Sequence, residues 1–162
     1  MISLIKKLFG SNSKSEWYAI KESKDLYVKG PIAILRMKSK KGLLLTGWVN
    51  KGYKDYPYKN FCKQNFLIKV NLLDNPAASN SNIGMDTIEE YFLSNLREAC
   101  VCHLVARLAT DEGLNLEMYL DDRDSAMITL LNLSKNQNNL ASFTYENHYD
   151  PHWDAVQGLF NL

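Results

Sequence analysis

Two of the three histidines in this 162-residue chain share one short stretch, "ENHYDPHWDAV" at residues 146–156, as His148 and His152. The third, His103, closes "CVCH", beside Cys100 and Cys102. Imidazoles and thiolates at such spacings are the ligand chemistry of zinc, which needs four donors within about 2.0–2.3 Å of one ion. Asp121, Asp122 and Asp124 offer carboxylate oxygens of the kind that hold magnesium. A third constellation is basic and aromatic. Arg36, Lys38, Lys40 and Lys41 precede Trp48, Tyr53, Lys54, Tyr56 and Tyr58, the interleaving of cations and rings by which single-stranded nucleic acid is gripped. The sequence contains no G-x-S-x-G, no P-loop and no G-x-G-x-x-G.

The elements that must position these residues are clearest in the second half. "NFLIKVNLL" puts Phe66, Ile68, Val70 and Leu72 on one face and Asn65, Lys69 and Asn71 on the other, which predicts a half-buried strand. After a polar loop, "MDTIEEYFLSNLREA" predicts a helix with Ile88, Phe92, Leu96 and Ala99 as its stripe. Asp86 is its expected cap and Glu89 the capping-box partner. "CVCHLVARLATDEGLNLEMYLDD" predicts a hairpin in which Cys102, Leu104, Ala106 and Leu108 meet Leu114, Leu116, Met118 and Leu120. Matching core face to core face, with Asp111-Glu112-Gly113 as the loop and Gly113 left-handed, sets Arg107 opposite Glu117, Val105 opposite Tyr119 and His103 opposite Asp121. A second helix follows, capped by Asp122 or Asp124, with Met127, Leu130, Leu131 and Ser134 along one side. "LASFTYEN" is a fourth strand, and Asp150-Pro151 begins a short last helix.

This order, β-α-β-β-α-β with a terminal helix, predicts an α+β, ferredoxin-like split sheet. Its usual strand order, fourth-first-third-second, keeps Cys102 about 14 Å from the strand ending at His148. A shared zinc is therefore not expected, and no metal or cofactor is predicted. The clustered acids read as first-turn residues favoured by the helix dipole.

Upstream, "PIAILRMKS" and "GLLLTGWVN" flank Lys40-Lys41-Gly42 as an added N-terminal β-hairpin, and "KGYKDYPYKNF" reads as an ordered loop. "MISLIKKLFG" predicts a short amphipathic helix, with Ile2, Leu4, Ile5, Leu8 and Phe9 to one side, and "GSNSKS" a linker. Residues 1–15 thus precede a single domain over 16–162. The odd cysteine count, three, argues for a reducing compartment, and with no secretory or membrane-spanning pattern the expected location is cytoplasmic. The net charge of +1 conceals a split: residues 1–69 carry 15 bases and 4 acids, residues 70–162 carry 4 bases and 14 acids.

The spaced elements "WVNKGYKDYPYKNF", "LIKVNL", "IGMDTIEEYFLSNLREA", "HLVARLATDEGLNLEMYLDD" and "YENHYDPHWDAV" resemble the bacterial family catalogued as domain of unknown function 695, from about Ile32 to the C-terminus. The resemblance implies the fold and transfers no catalytic residue. The expected function is non-enzymatic: protein binding or regulation, as an enzyme inhibitor or an immunity-type protein. The alternative is an RNA-binding module using the basic, aromatic-rich half. Candidate binding residues are Arg36, Lys38, Lys40, Lys41, Trp48, Tyr53, Lys54, Tyr58, Arg107, Tyr119, Asp121 and Asp122. The expected partner is another protein, with nucleic acid as the alternative and a homodimer open.

Overall fold

The computed structural model describes residues 13–73, 84–136 and 138–162. Six strands, β1 (Ile32–Lys38), β2 (Leu44–Asn50), β3 (Gln64–Asn71), β4 (Cys102–Ala109), β5 (Gly113–Leu120) and β6 (Ser142–Tyr149), form one open antiparallel sheet. Across the sheet they run β1-β2-β4-β5-β3-β6. Among the described residues four helices accompany it: α1 (Ser13–Lys21), α2 (Met85–Ala99), α3 (Arg123–Lys135) and α4 (Asp154–Phe160). β6 and β4 are separated by β3 and β5, so His148 and Cys102 are far apart; β4 is no edge, because β2 and β1 extend the sheet beyond it. The amphipathic helix expected within residues 1–10 lies outside the described residues. The expected linker does not hold as a whole, because residues 13–15 already belong to α1.

Each face of the sheet is covered over a different span. On one face α2 and α3 bring Ile88, Phe92, Leu96, Ala126, Leu130 and Leu133 against Phe66, Ile68, Leu116 and Met118. The apolar alternation of β3 and β5 dictates this, since every second side chain of a strand points the same way. On α3 the buried stripe is Ala126, Leu130 and Leu133, so Leu131, expected inside, is exposed. On the other face an aromatic layer of Tyr53, Tyr56, Tyr119, Trp153 and Phe160 packs with Leu35, Val49, Val105 and Ala106. Two 3-10 turns, Lys51–Tyr53 and Lys59–Phe61, give the "KGYKDYPYKNF" segment the shape that delivers its tyrosines.

The expected β4–β5 register does not form: Ala109 rather than Thr110 pairs with Leu114 at the loop, and a bulge at Val105 shifts the pairing once more. Before it Cys102 pairs with Leu120 and His103 with Tyr119; after it Ala106 pairs with Glu117 and Arg107 with Leu116. A bulge adds one residue to one strand and reverses side-chain parity beyond it. Val105 and Ala106 consequently both enter the aromatic layer, while Arg107 turns to the helical face. None of the outward pairs expected for Arg107, Val105 and His103 forms. Gly113 is not left-handed either. It starts β5, and a Cβ there would lie 2.0 Å from the Val70 carbonyl oxygen, so glycine permits the close approach of β3. Gly47 does the same where β2 meets β4, with an added Cβ 2.5 Å from the Arg107 carbonyl oxygen.

The end of the chain also differs from expectation. α4 starts at Asp154 rather than at Pro151, after Trp153 in the left-handed region (φ 60°). That conformation costs a bulky residue on the order of 1 kcal/mol. It is held because Trp153 is wholly buried, stacks on Tyr119 with centroids 4.0 Å apart, and donates its indole N–H to the Cys62 carbonyl at 2.8 Å. Asp150 still serves the helix start, accepting from the Asp154 and Ala155 amides and from the Tyr119 hydroxyl.

Candidate functional site

Of the residues that first suggest chemistry, His103 becomes structural, while His148 and His152 lie exposed. His103 is fully buried between two tyrosines, with Tyr53 Oη 3.2 Å from Nδ1 and Tyr56 Oη 3.1 Å from Nε2. The donors assign its tautomer. Tyr56 gives its only proton to the Leu26 carbonyl at 2.9 Å, so it must accept from Nε2–H, and Tyr53 then donates to a bare Nδ1. A directed chain thus runs from Tyr53 through His103 and Tyr56 to the Leu26 carbonyl, and ties down the segment that leads to β1. Burial, with a smaller contribution from the Arg97 charge, pushes the imidazole pKa down to about 3. Burial pushes the Tyr53 hydroxyl up to about 12 and the Cys62 and Cys102 thiols upward too. Such a histidine is no base poised for neutral pH, and such thiols are not activated nucleophiles.

Asp121 and Asp122 serve the fold. Asp121 accepts from the Trp17 indole at 2.8 Å and the Val101 amide at 2.8 Å, and pairs with Lys21 at 2.7 Å. With Trp17 stacked on Phe61 at 4.7 Å, it latches α1 onto its own domain. Asp122 caps α3, accepting from the Asp124 and Ser125 amides, and these bonds hold its carboxyl below the usual range. Tyr119 is fully buried and Tyr53 nearly so, which removes both from any binding surface. Tyr56 is buried as well, and Tyr58 is half-buried edge-on to it. Lys54 is exposed, but it belongs to the aromatic side, reaching Asn161 near the end of α4.

Arg36, Lys38 and Trp48 do come together. Antiparallel pairing of β1 with β2 sets Ile34 beside Trp48, Arg36 beside Thr46 and Lys38 beside Leu44. Since Leu35 and Val49 turn into the aromatic layer, these pairs face the helical side. The tip carries Lys40 and Lys41, its turn closed by the Ser39 hydroxyl accepting from the Lys41 and Leu43 amides and by Gly42 at φ 82°. α2 does not cover this hairpin. Ile34 is 66% exposed, Ile32 51% and Leu44 71%.

The face is anchored at one side by Arg107, which the bulge turns to meet Glu89 at 2.9 Å and Asp86, with its guanidinium 6.0 Å over the Trp48 ring. Asp86 and Glu89, expected as helix cap and capping box, are thus the partners of Arg107, and no side chain caps α2. Burial raises the Glu89 carboxyl, while Arg107 and a bond from the Trp48 side chain oppose that rise. Arg107 on strand β4 thus lies over Trp48 while it pairs with helix α2, and among the described residues the cationic end of the face has no acid paired to it. Arg36 and Lys38 have no carboxylate partner among the described residues.

The sequence singled out the cations but missed Ile32, Ile34 and Leu44, because strand aliphatics are presumed core. One signal was available: residues 31–35, "PIAIL", are apolar on both strand faces, more than an edge strand can bury. No family model matches the chain, and no curated protein or solved structure matches it either. No helix among the described residues is long and apolar enough to cross a membrane.

Proposed function

We propose that this is a non-enzymatic domain that binds another protein through the helical-side face of the β1–β2 hairpin, as a regulator or inhibitor of that partner. One observation carries the reading: exposed Ile32, Ile34 and Leu44 adjoin Arg36 and Lys38, whose charges are unanswered within the described chain. Apolar anchors bordered by one sign of charge suit a partner guided in by complementary charge. Tyr53 and Tyr56 are spent in the core and Tyr58 packs edge-on against it, so the basic hairpin lacks the row of exposed rings that single-strand binding uses. The strand order β6-β3-β5-β4 supports reading the chain from β3 onward as a ferredoxin-like unit extended by a hairpin. It accords with the resemblance to domain of unknown function 695.

The test is affinity capture with the immobilised whole chain at low salt, run beside Arg36→Glu/Lys38→Glu. A protein retained by the parent, released by salt and missing from the double variant supports the reading. Equal retention by both chains, or no retention, overturns it. A salt-dependent shift of labelled single-stranded RNA at about 50 mM salt, lost in the same variant, would instead favour the nucleic-acid alternative.

A further inference from the structure

Strand β1 ends the sheet, and among the described residues it pairs with β2 alone. The outward row of backbone donors and acceptors on an edge strand is a template for another strand. Proteins that must not accept one shorten or bend the edge, add proline, or turn charge across it. Here β1 is 7 residues long, as long as β2, with regular pairing along its whole length. Pro31 lies just before it, where a missing N–H disturbs only the entry. Its charge is confined to one half: the exposed face reads Ile32, Ile34, Arg36, Lys38 along the strand.

From this asymmetry the geometry points to β-strand addition: the partner contributes an extended segment to the β1 edge, apolar at alternate positions against Ile32 and Ile34, acidic against Arg36 and Lys38. The inference rests on the protein-binding reading and specifies its mode. Backbone bonding along the edge supplies affinity without regard to sequence, while alternate side chains supply selectivity. The two aliphatics accept apolar neighbours at the cross-strand distance of about 4.5–5.5 Å. The two cations penalise a basic strand and favour carboxylates, since like charges set opposite each other are destabilising. They also disfavour a second copy of β1, which would bring Arg36 and Lys38 of both copies to one short ladder. Trp48, with the Arg107 guanidinium over its ring, stands behind Ile34 and backs it where the incoming side chain packs.

Selection of the whole chain against a displayed library of random linear peptides tests this, followed by amide hydrogen exchange on the best binders. Strand addition predicts enriched peptides that alternate apolar and acidic residues and slow the exchange of β1 amides. It also predicts at least a tenfold loss of binding when alternate peptide nitrogens on the paired edge are methylated, and a similar loss for Arg36→Glu/Lys38→Glu. Binders without acids, binders that are indifferent to methylation, or protection lying outside β1 overturn the inference. So does failure to enrich any binder, or a dimer of the free chain in sedimentation whose β1 amides are protected. If the affinity capture still returns a partner lost in the double variant while methylation has no effect, strand addition falls and the protein-binding reading stands.

Discussion

Among the described residues the sheet has two quadrants that no layer covers, and they differ in kind. One lies on the aromatic side of β3 and β6, away from that layer. There Lys69 and Glu146 form an ion pair, and nearby Asn65 donates to Glu117 at 2.5 Å. The other is the helical side of β1 and β2, where aliphatics and cations lie exposed without an ion-pair partner among the described residues. The first surface answers its own charges and leaves little for a partner to satisfy. The second presents apolar area and an unbalanced field, the two things that association relieves. The offset of the two covering layers, α2 and α3 toward β6 and the aromatic layer toward β2, creates both quadrants. Sequence then makes one inert and one receptive.

The sharpest way to break this comparison is to remove the layer that closes the aromatic side. Trp153→Ala should cost about 3–5 kcal/mol, because it empties a fully buried ring site and frees a left-handed backbone position. Urea denaturation would show it, and a loss below about 1 kcal/mol would mean that α4 is not pinned as described.

The next effect depends on pH. His103 is neutral in the folded chain down to about pH 3, whereas in the unfolded chain it takes up its proton near its ordinary value of 6.5. Stability is therefore full above pH 6.5 and falls as pH drops through the window from 6.5 to about 3. The expected slope for this group is about 1.4 kcal/mol per pH unit in mid-window. His103→Phe should flatten that part of the profile while lowering stability at neutral pH, since Tyr53 and Tyr56 then lose a partner; an unchanged slope would remove His103 as the cause.

Asp121→Asn is expected to cost about 1–2 kcal/mol by weakening the latch to Trp17 and Lys21. Tryptophan fluorescence would report Trp17 leaving Phe61, and an unaltered spectrum with unaltered stability would show that α1 is not held there.

Smallest of all for the fold, Arg36→Glu/Lys38→Glu should move stability by no more than about 0.5 kcal/mol, since both side chains are exposed. A larger loss would mean that the open quadrant carries structural weight after all.

What could be read from sequence follows from which signals are local. The strand over residues 65–73, the helix over Met85–Ala99 and the hairpin strands each declare themselves by period; all form, the first ending at Asn71. The expected β4–β5 register failed on both sides of Val105: before it the pairing sits two residues from the expected one with the facings kept, and after it the facings reverse. No residue type announces the bulge at Val105, and past it every facing reverses. That single step moved Arg107 from an outward pair with Glu117 to the Glu89 cluster, where it braces Trp48. Of the candidate residues, Arg36 and Lys38 were legible as exposed cations because they alternate with Met37 on a strand. Tyr53 and Tyr119 were not legible as core. An aromatic residue among lysines looks like a binding residue until a second layer, built from Trp153 and α4 far along the chain, closes over it.

The claim that the helical side of β1–β2 is the receptive quadrant has a direct test. A photoreactive amino acid is placed at Ile34, and separately at Ile128, a 61% exposed aliphatic on α3 that serves as control, and each chain is irradiated in cells. The account predicts a discrete adduct from position 34, abolished by Arg36→Glu/Lys38→Glu, and none of that mass from position 128. The same adduct from both positions, or an adduct from 128 alone, would contradict it.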